Sequence, residues 1–266
     1  MTQPQLVETE VRSDGIAILT LSNPPLNLNT LTTLDQLVET CGRLAADDKV
    51  RVVIITGAGD RAFCAGSDIK EFADVRDQVV DKKLSKENTA FTAIEQLPMP
   101  VIAALNGTTL GGGAEIALAC DLRIIDEKAK IGFPEVKLGV FPGSGGVFRL
   151  PRLVGPSVAM ELLYTGDLVD ASYALGVGLV NRIAPAGNTL EAALALASAI
   201  AKGPALALSL IKAGVRDSLL QDTRAATDRT LADSHAVFTG PDIEEGIDAF
   251  FAKRKPEFTA PRRPRQ

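Results

Sequence analysis

Two short apolar runs, residues 52–56 (VVIIT) and 101–105 (VIAAL), each lead directly into a glycine-containing turn. An unbroken apolar run of this length, bounded by turn residues, is typical of a strand buried on both faces of a parallel sheet. Residues 122–125 (LRII) predict a third strand, and helical patterns separate the three. Strands that alternate with helices imply crossover connections, so the sequence predicts the α/β class.

The C-terminal part of the sequence differs from the rest. Residues 179–183 are the last segment with strand character, and from residue 189 the apolar spacing predicts helices almost to the end. We therefore expect an α/β core over residues 1–200 and an all-helical region over residues 201–266. A strand-free helical end on an α/β core suggests that these helices pack against another subunit.

The composition narrows the class of partner. With a net charge of −5 and only 5% aromatic residues, the chain lacks the basic surface that nucleic-acid binding requires. No apolar run reaches the roughly 18 residues of a membrane span, and the N-terminus has no signal-peptide pattern. We therefore expect neither a nucleic acid nor a membrane as partner.

Cysteine and histidine usage bears on the compartment and on metal binding. Cys41, Cys64 and Cys120 occur in apolar surroundings without C-x-x-C spacing, which predicts buried free thiols in a reducing, cytoplasmic location. His235 is the only histidine, and its helical surroundings favour a solvated residue. A Ser-His-Asp triad or a histidine-rich metal site is therefore not expected, and we predict no metal.

Residues 106–146 combine glycines, apolar residues and two carboxylates. Residues 110–120 are nearly all apolar and predict a buried helix that begins at the three consecutive glycines 111–113. The start of a helix presents unpaired N–H groups and a partial positive charge, and glycines allow a ligand to approach the backbone. Such a helix start suits a phosphate or a developing oxyanion.

The two carboxylates are Glu115, in the first turn of this helix, and Glu135, which follows the segment 131–134 (IGFP). A carboxylate in apolar surroundings is either paired or raised in pKa, and a raised pKa suits proton transfer near neutral pH. Each feature alone has a structural interpretation: helix–sheet packing for the glycines, a favourable helix dipole for Glu115, a surface loop for Glu135. Together they favour a site.

A second glycine pattern lies upstream. Residues 57–62 fit G-x-G-x-x-A, which invites a dinucleotide-binding interpretation. That fold requires a helix opening directly on the glycines and an acid at the end of a second strand about twenty residues later. Residues 63–66 interrupt this pattern, so it does not indicate a nucleotide site. The charged segment at residues 69–88 predicts instead a mobile helix over the site.

Four segments carry a resemblance to a known family. They are FCAGSDIKEF at residues 63–72, NGTTLGGGAEIALACDLRI at 106–124, FPEVKLGVFPGSGG at 133–146 and EEGIDAFFAKRKPEF at 244–258. In order and spacing they resemble the enoyl-CoA hydratase/isomerase (crotonase) family over nearly the whole chain. The resemblance implies a spiral of repeated β-β-α turns with C-terminal helices that build homotrimers, usually paired into hexamers.

The resemblance also implies a site for an acyl-CoA thioester. The main-chain N–H groups of Ala65 and Gly112 would hold the thioester oxygen as it becomes an enolate, while Glu115 would activate water and Glu135 would exchange the proton at C2. Further residues implied to bind substrate or CoA are Gly66, Asp68, Ile69, Lys70, Gly111, Pro134, Gly143, Phe250 and Lys253. CoA is part of the substrate, so no separate cofactor is expected.

Some of these implied roles have plainer alternatives. Asp68 and Lys70 also fit a capped helix start, and Phe250 and Lys253 also fit simple packing and a solvated charge. Because both carboxylates are present, the resemblance implies hydration of a 2-enoyl-CoA. A Δ3-Δ2-enoyl-CoA isomerase with Glu135 as its only base, another crotonase chemistry, and a non-catalytic acyl-CoA-binding oligomer stay as alternatives.

Two positions depart from the family's usual pattern. Ser67 stands where alanine is more usual, and Val147 and Phe148 stand where hydratases commonly carry Thr-Gln. The second departure is close in sequence to the carboxylates. The length or ring preference of the acyl group therefore stays open.

Overall fold

The computed structural model describes residues 4–262, so residues 1–3 and 263–266 of the two expected regions lie outside it. The strands are β1 Val7–Val11, β2 Ile16–Leu21, β3 Val52–Gly57, β4 Ala62–Cys64, β5 Val101–Leu105, β6 Thr108–Leu110, β7 Leu122–Asp126, β8 Lys130–Gly132, β9 Leu168–Asp170 and β10 Arg182–Ala184. The α-helices are α1 Leu31–Ala46, α2 Ile69–Asp74, α3 Ser85–Glu95, α4 Gly112–Ala119, α5 Gly146–Val154, α6 Pro156–Thr165, α7 Ala171–Gly176, α8 Thr189–Ala201, α9 Ala205–Asp217, α10 Thr223–Phe238 and α11 Pro241–Phe251.

From β3 to β8, successive strands alternate between two sheets. One sheet has the order β1-β2-β3-β5-β7-β10, and the other has the order β4-β6-β8-β9. Each of the pairs β3–β4, β5–β6 and β7–β8 gives one strand to each sheet, and the chain then enters helical structure. The strands of the larger sheet from β2 to β10 pair in parallel. The expected spiral of β-β-α turns is confirmed.

The two apolar runs that predicted the fold class lie at the centre of the core. Every residue of β3 and β5 is buried, as expected for a parallel sheet covered on both faces. Alternate side chains pack against α8 through Ala193 and Ala197, and the others join a larger core with Leu34, Phe91 and Ile116. The larger core is therefore the one that supports α4 and the segments around it.

Several boundaries differ from those expected. Leu110, expected in the buried helix, lies in β6, whereas the helix itself begins at Gly112, within the three glycines where its start was expected. The strand expected at 179–183 begins only at Arg182, since Leu179 and Val180 form a buried turn after α7 through bonds to the Ala174 carbonyl. The sequence does not predict the four-stranded sheet, because strands of three residues are too short to display a period.

Helices α9, α10 and α11 confirm an all-helical C-terminal region. The Arg51 guanidinium donates a hydrogen bond to the Gly203 carbonyl, and Arg216 donates to the Glu95 carbonyl, so this region is tied to the core. The division at residue 200 stays a prediction. Within residues 4–262, no single helix has the length and apolar character needed to cross a membrane; only α8 and α9 taken together, bent by 110°, do.

Candidate active site

The start of α4 lies against the loop that follows β4. Gly66 has a φ of 107° and Gly111 a φ of 49°, conformations that L side chains rarely adopt. A Cβ atom on Gly112 would lie 2.8 Å from Oγ of Ser67 and 3.6 Å from its main-chain nitrogen. The glycines therefore let two backbone segments come close enough to bring the amides of residues 67 and 112 together.

The third glycine has a different task. A Cβ atom on Gly113 would collide with the carbonyl oxygen of Cys64 in β4. Helix–sheet packing is therefore the role of Gly113, whereas Gly111 and Gly112 border the opening at the helix start. The packing interpretation therefore holds for Gly113, and the approach of a ligand to Gly111 and Gly112 stays a prediction.

The amide of Ala65 is not available to a ligand. Its N–H donates a hydrogen bond to the carbonyl of Leu26, with an N–O distance of 3.0 Å. For the amides of Ser67 and Gly112, by contrast, residues 4–262 supply no hydrogen-bond acceptor. The expectation that Ala65 is the donor beside Gly112 is therefore wrong, and the unpaired amide that lies beside Gly112 is that of Ser67. The donor was assigned two residues too early within the segment FCAGSDIKEF.

Glu115 is buried, as its place in the first turn of α4 predicts, with a relative exposure of 3%. Its Oε1 atom accepts hydrogen bonds from the amides of Ser144 (2.9 Å) and Gly146 (2.8 Å). Burial raises the pKa of Glu115 to about 8, the nearby charge of Glu135 adds to the increase, and the bond from Gly146 opposes it. The glycine-rich loop after Glu135 therefore holds the first carboxylate in place.

Glu135 lies in a 3-10 turn, Pro134–Leu138, and is half-buried. Its Oε2 atom is buried without a hydrogen-bond partner. Its Oε1 atom lies beside Gly111, 3.1 Å from the position that a Cβ atom there would occupy. Burial raises the pKa of Glu135 to about 7, and the charge of Glu87 adds to the increase. Glu135 is thus not a solvated surface-loop residue: its carboxylate lies beside Gly111 at the helix start, and its Oε2 atom has no partner among the described residues.

The other residues that the resemblance implies for substrate or CoA binding lie in different environments. Asp68 caps α2 by accepting from the Lys70 amide at 2.9 Å, so the capped helix start is confirmed for this residue. Ile69 and Lys70 are exposed, Pro134 begins the turn that carries Glu135, and the Gly143 carbonyl accepts from Asn88 at 3.1 Å. Phe250, at the end of α11, is 78% exposed, and Lys253 follows it. Their role in CoA binding stays a prediction.

The charged segment at residues 69–88 is helical but broken. After α2 come a 3-10 turn, Arg76–Gln78, and a π-helical turn, Val80–Leu84, which leads into α3. The segment is not a solvated cover throughout, because Lys83 and Glu87 are buried at 0% and 2% exposure. The predicted mobility of this segment stays a prediction.

Sequence reasoning missed Glu87, although a signal was present. Glu87 lies three, four and seven residues before Ala90, Phe91 and Ile94, which places all four on the same face of a helix. That face is buried. The segment was interpreted from its many charged residues, and the apolar spacing after Glu87, which indicates a buried carboxylate, was not considered.

One buried and one half-buried carboxylate with raised pKa values, next to the unpaired amides of Ser67 and Gly112, are typical of an enzyme that uses general acid–base catalysis. Comparison with known proteins agrees. The family model described as enoyl-CoA hydratase/isomerase matches residues 11–261. The chain belongs to the enoyl-CoA hydratase/isomerase family.

Individual relatives cover nearly the whole chain. The crotonyl-CoA hydratase of Syntrophomonas wolfei is 37% identical over 93% of this chain and 95% of its own length. The short-chain-enoyl-CoA hydratase of Clostridium acetobutylicum is 36% identical over 91% of this chain and 93% of its own. The crystal structure of an enoyl-CoA hydratase from Bacillus anthracis superposes with a TM-score of 0.92 at 36% identity, covering 96% of this chain and 99% of that one.

Proposed function

We propose that this protein is an enoyl-CoA hydratase that adds water across the 2,3 double bond of a 2-enoyl-CoA thioester. The observation that carries the proposal is the meeting of Glu115 and Glu135 at the start of α4, where the amides of Ser67 and Gly112 have no acceptor within residues 4–262. The names of the relatives, crotonyl-CoA hydratase and short-chain-enoyl-CoA hydratase, support a short acyl group.

The two amides would accept the thioester oxygen. As water adds to C3, negative charge moves from the double bond to this oxygen and forms an enolate. Donors fixed before the reaction stabilise that charge without reorganising, and one such donor typically contributes about 2.7–4 kcal/mol to the transition state. The partial positive charge at the start of α4 acts in the same direction on Gly112.

The carboxylates would move the protons. One takes a proton from water as the hydroxyl bonds to C3, and the other gives a proton to C2 as the enolate collapses, so the pair holds one proton before and after. This requires that one carboxyl is ionised while the other is protonated. The family resemblance assigns the activation of water to Glu115 and the proton exchange at C2 to Glu135.

The proton balance predicts a narrow pH optimum. Because the pKa of Glu135 is about 7 and that of Glu115 about 8, the pair holds one proton mainly between these values. At these values the shared proton resides more on Glu115, so the roles that the resemblance assigns use the other one-proton state, in which Glu115 is ionised and Glu135 carries the proton. Below the lower value both carboxyls are protonated and no base is left, and above the higher value both are ionised and no acid is left. We expect kcat/KM for crotonyl-CoA hydration, followed by the loss of conjugated-thioester absorbance, to be bell-shaped. A rate that stays flat from about pH 6 to about pH 9 would contradict a single shared proton.

The C-terminal helices support association with further subunits, and the family resemblance implies that the assembly is a homotrimer or a dimer of trimers. Several large apolar residues of α9 to α11 and the turn after α9 are more than half exposed, namely Ile211, Val215, Leu219, Leu220, Leu231, Phe238, Phe250 and Phe251. Exposed apolar side chains in such number mark a surface that another protein surface covers. We expect equilibrium sedimentation to give three or six copies of the 28.0 kDa chain; a monomer at micromolar concentration would refute this assembly.

The cytoplasmic location is also a proposal, and the state of the three cysteines supports it. Cys41, Cys64 and Cys120 are free and buried, and burial raises the pKa of each thiol to about 12. Unpaired buried thiols are typical of proteins in a reducing compartment. The acyl-CoA substrate is the one partner that the family membership supports.

A further inference from the structure

Another buried carboxylate, Glu87, lies close enough to the two proposed catalytic ones for its charge to act on both. Glu87 is in the first turn of α3, directly after the π-helical turn at residues 80–84. Insertions of this kind are frequent at functional sites, because they redirect side chains that a regular helix would place elsewhere. Glu87 is 2% exposed. A buried ionisable side chain requires compensating contacts, and those contacts show what it holds.

The two oxygens of Glu87 connect the two halves of the site. Oε1 accepts a hydrogen bond from the hydroxyl of Ser67, and Oε2 accepts one from the hydroxyl of Ser144, each at 2.5 Å. The main-chain amide of Ser67 is one of the two free donors, and the amide of Ser144 donates to Glu115. A single carboxylate therefore contacts both the segment that would hold the thioester oxygen and the loop that holds a catalytic acid.

A buried cation compensates the charge of Glu87. The Nζ atom of Lys83, which is fully buried, lies 3.8 Å from Oε1 of Glu87 and 2.7 Å from Oε2 of Glu71. Lys83 also donates to the carbonyl of Asn29 at 2.9 Å, and the Asp68 amide donates to the same carbonyl. The ion pair is thus anchored to the backbone next to Ser67, and it fixes α3 against the loop.

We infer that Glu87 is a positioning residue for the proposed hydration: by binding the hydroxyls of Ser67 and Ser144 it holds the oxyanion-binding amide and the Glu115 carboxylate at a fixed separation. This inference rests on the proposed function for its catalytic consequence. It also explains the departure at position 67, because the alanine that is more usual there has no hydroxyl to donate to Glu87.

Glu87 acts on the pair through its charge as well. Its negative charge raises the pKa values of Glu115 and Glu135, and also that of the Cys64 thiol. The titratable groups around Glu87 are therefore the ammonium of Lys83, which also pairs with Glu71, and the side chains of Cys64, Glu115 and Glu135. Removing the charge lowers the pKa of both catalytic carboxyls, so both limbs of the pH profile move to lower pH.

The test is Glu87→Gln, with Asp35→Asn as its matched control. Asp35 also pairs with a lysine of α3, Lys86 at 2.7 Å, but on the exposed side of the helix. In Glu87→Gln we expect kcat for crotonyl-CoA to fall on the order of 10- to 100-fold, as for a small misplacement of reacting groups. KM should change little, and the pH optimum should move to lower pH. Asp35→Asn should keep kcat, KM and the pH optimum of the parent protein.

A double-mutant cycle separates positioning from stability. If Glu87 acts through the Ser67 hydroxyl, the loss of kcat in Glu87→Gln and Ser67→Ala should not add in the double variant. A merely structural carboxylate would lower the unfolding temperature and leave kcat per folded molecule and the pH optimum unchanged. That result, or independent effects of the two substitutions, would overturn the inference.

Hydrogen exchange supplies a readout that needs no substrate. In Glu87→Gln, peptides covering residues 63–72 and 141–149 should both exchange faster than in the parent protein, and in Asp35→Asn neither should. A parent protein without hydratase activity would refute the proposed function alone, because the exchange of these two peptides still decides whether Glu87 holds them. Unchanged exchange in both peptides would refute the role of Glu87 even in an active enzyme.

Discussion

Glu115→Gln is expected to lose hydratase activity by about 10²- to 10⁴-fold, the contribution of a well-placed acid–base group, while acyl-CoA still binds. The substitution conserves shape, and the glutamine oxygen can accept the same bonds from Ser144 and Gly146 that the carboxylate accepts. What it removes is the site that exchanges a proton with water. Steady-state hydration of crotonyl-CoA measures the rate, and calorimetric titration with the saturated butyryl-CoA measures binding.

The same variant should be more stable than the parent protein at high pH. The pKa of Glu115 is raised by burial to about 8, so its favourable contribution is present at low pH and is lost as the pH rises towards and through this value. A neutral glutamine carries no such loss. Thermal unfolding should therefore favour the variant above about pH 8 and differ less near pH 5. A variant that is less stable at both pH values would contradict the charge-burial account.

Glu135→Gln is the matched control that separates the two enzyme hypotheses. A hydratase needs both carboxylates, so both variants should lose hydration. A Δ3-Δ2 isomerase with Glu135 as its only base would keep isomerisation of a 3-enoyl-CoA in Glu115→Gln and lose it in Glu135→Gln. Full hydratase activity in Glu115→Gln would show that the water activator is assigned wrongly. Inactivity of the parent protein towards both thioesters, with acyl-CoA binding retained, would favour the non-catalytic binder.

Gly112→Ala is expected to lower kcat by about 10²- to 10³-fold, the cost of one lost oxyanion donor. The new Cβ atom would lie 2.8 Å from Oγ of Ser67 and 3.0 Å from Nδ2 of Asn29, which is closer than ordinary contact. The Ser67 hydroxyl cannot easily move away, because Glu87 holds it. The segment carrying residue 67 must therefore shift, and the two amides no longer converge on one oxygen.

Gly42→Ala controls for the effect of alanine itself. Gly42 lies in α1, and an added Cβ atom there meets no atom within 4 Å among the described residues. Replacing a glycine within a helix by alanine stabilises it by up to about 1 kcal/mol, so this variant should be at least as stable as the parent protein and equally active. A Gly112→Ala variant with the kcat of the parent protein would show that the amide of residue 112 does not bind the thioester oxygen.

The α/β class, the central strands and the two carboxylates follow from the sequence by itself. The runs at 52–56 and 101–105 are apolar at every position but one, which only burial on both faces accommodates. Glu115 and Glu135 lie among apolar residues, so their burial follows from their neighbours in the chain. Local spacing carries this information because a strand or a single helix turn involves few residues.

The tertiary structure alone decided which unpaired amide of the 63–72 loop lies beside Gly112 and what holds the site together. Ala65 and Ser67 both flank Gly66, and only the bond from Ala65 to Leu26 distinguishes them. The contact of Glu87 with Ser67 and Ser144 joins positions 20 and 57 residues apart. Hydrogen bonds between distant segments depend on how the turns of the spiral stack. No local pattern of residue types predicts how the turns stack, so these hydrogen-bond partners can be identified only from the folded structure.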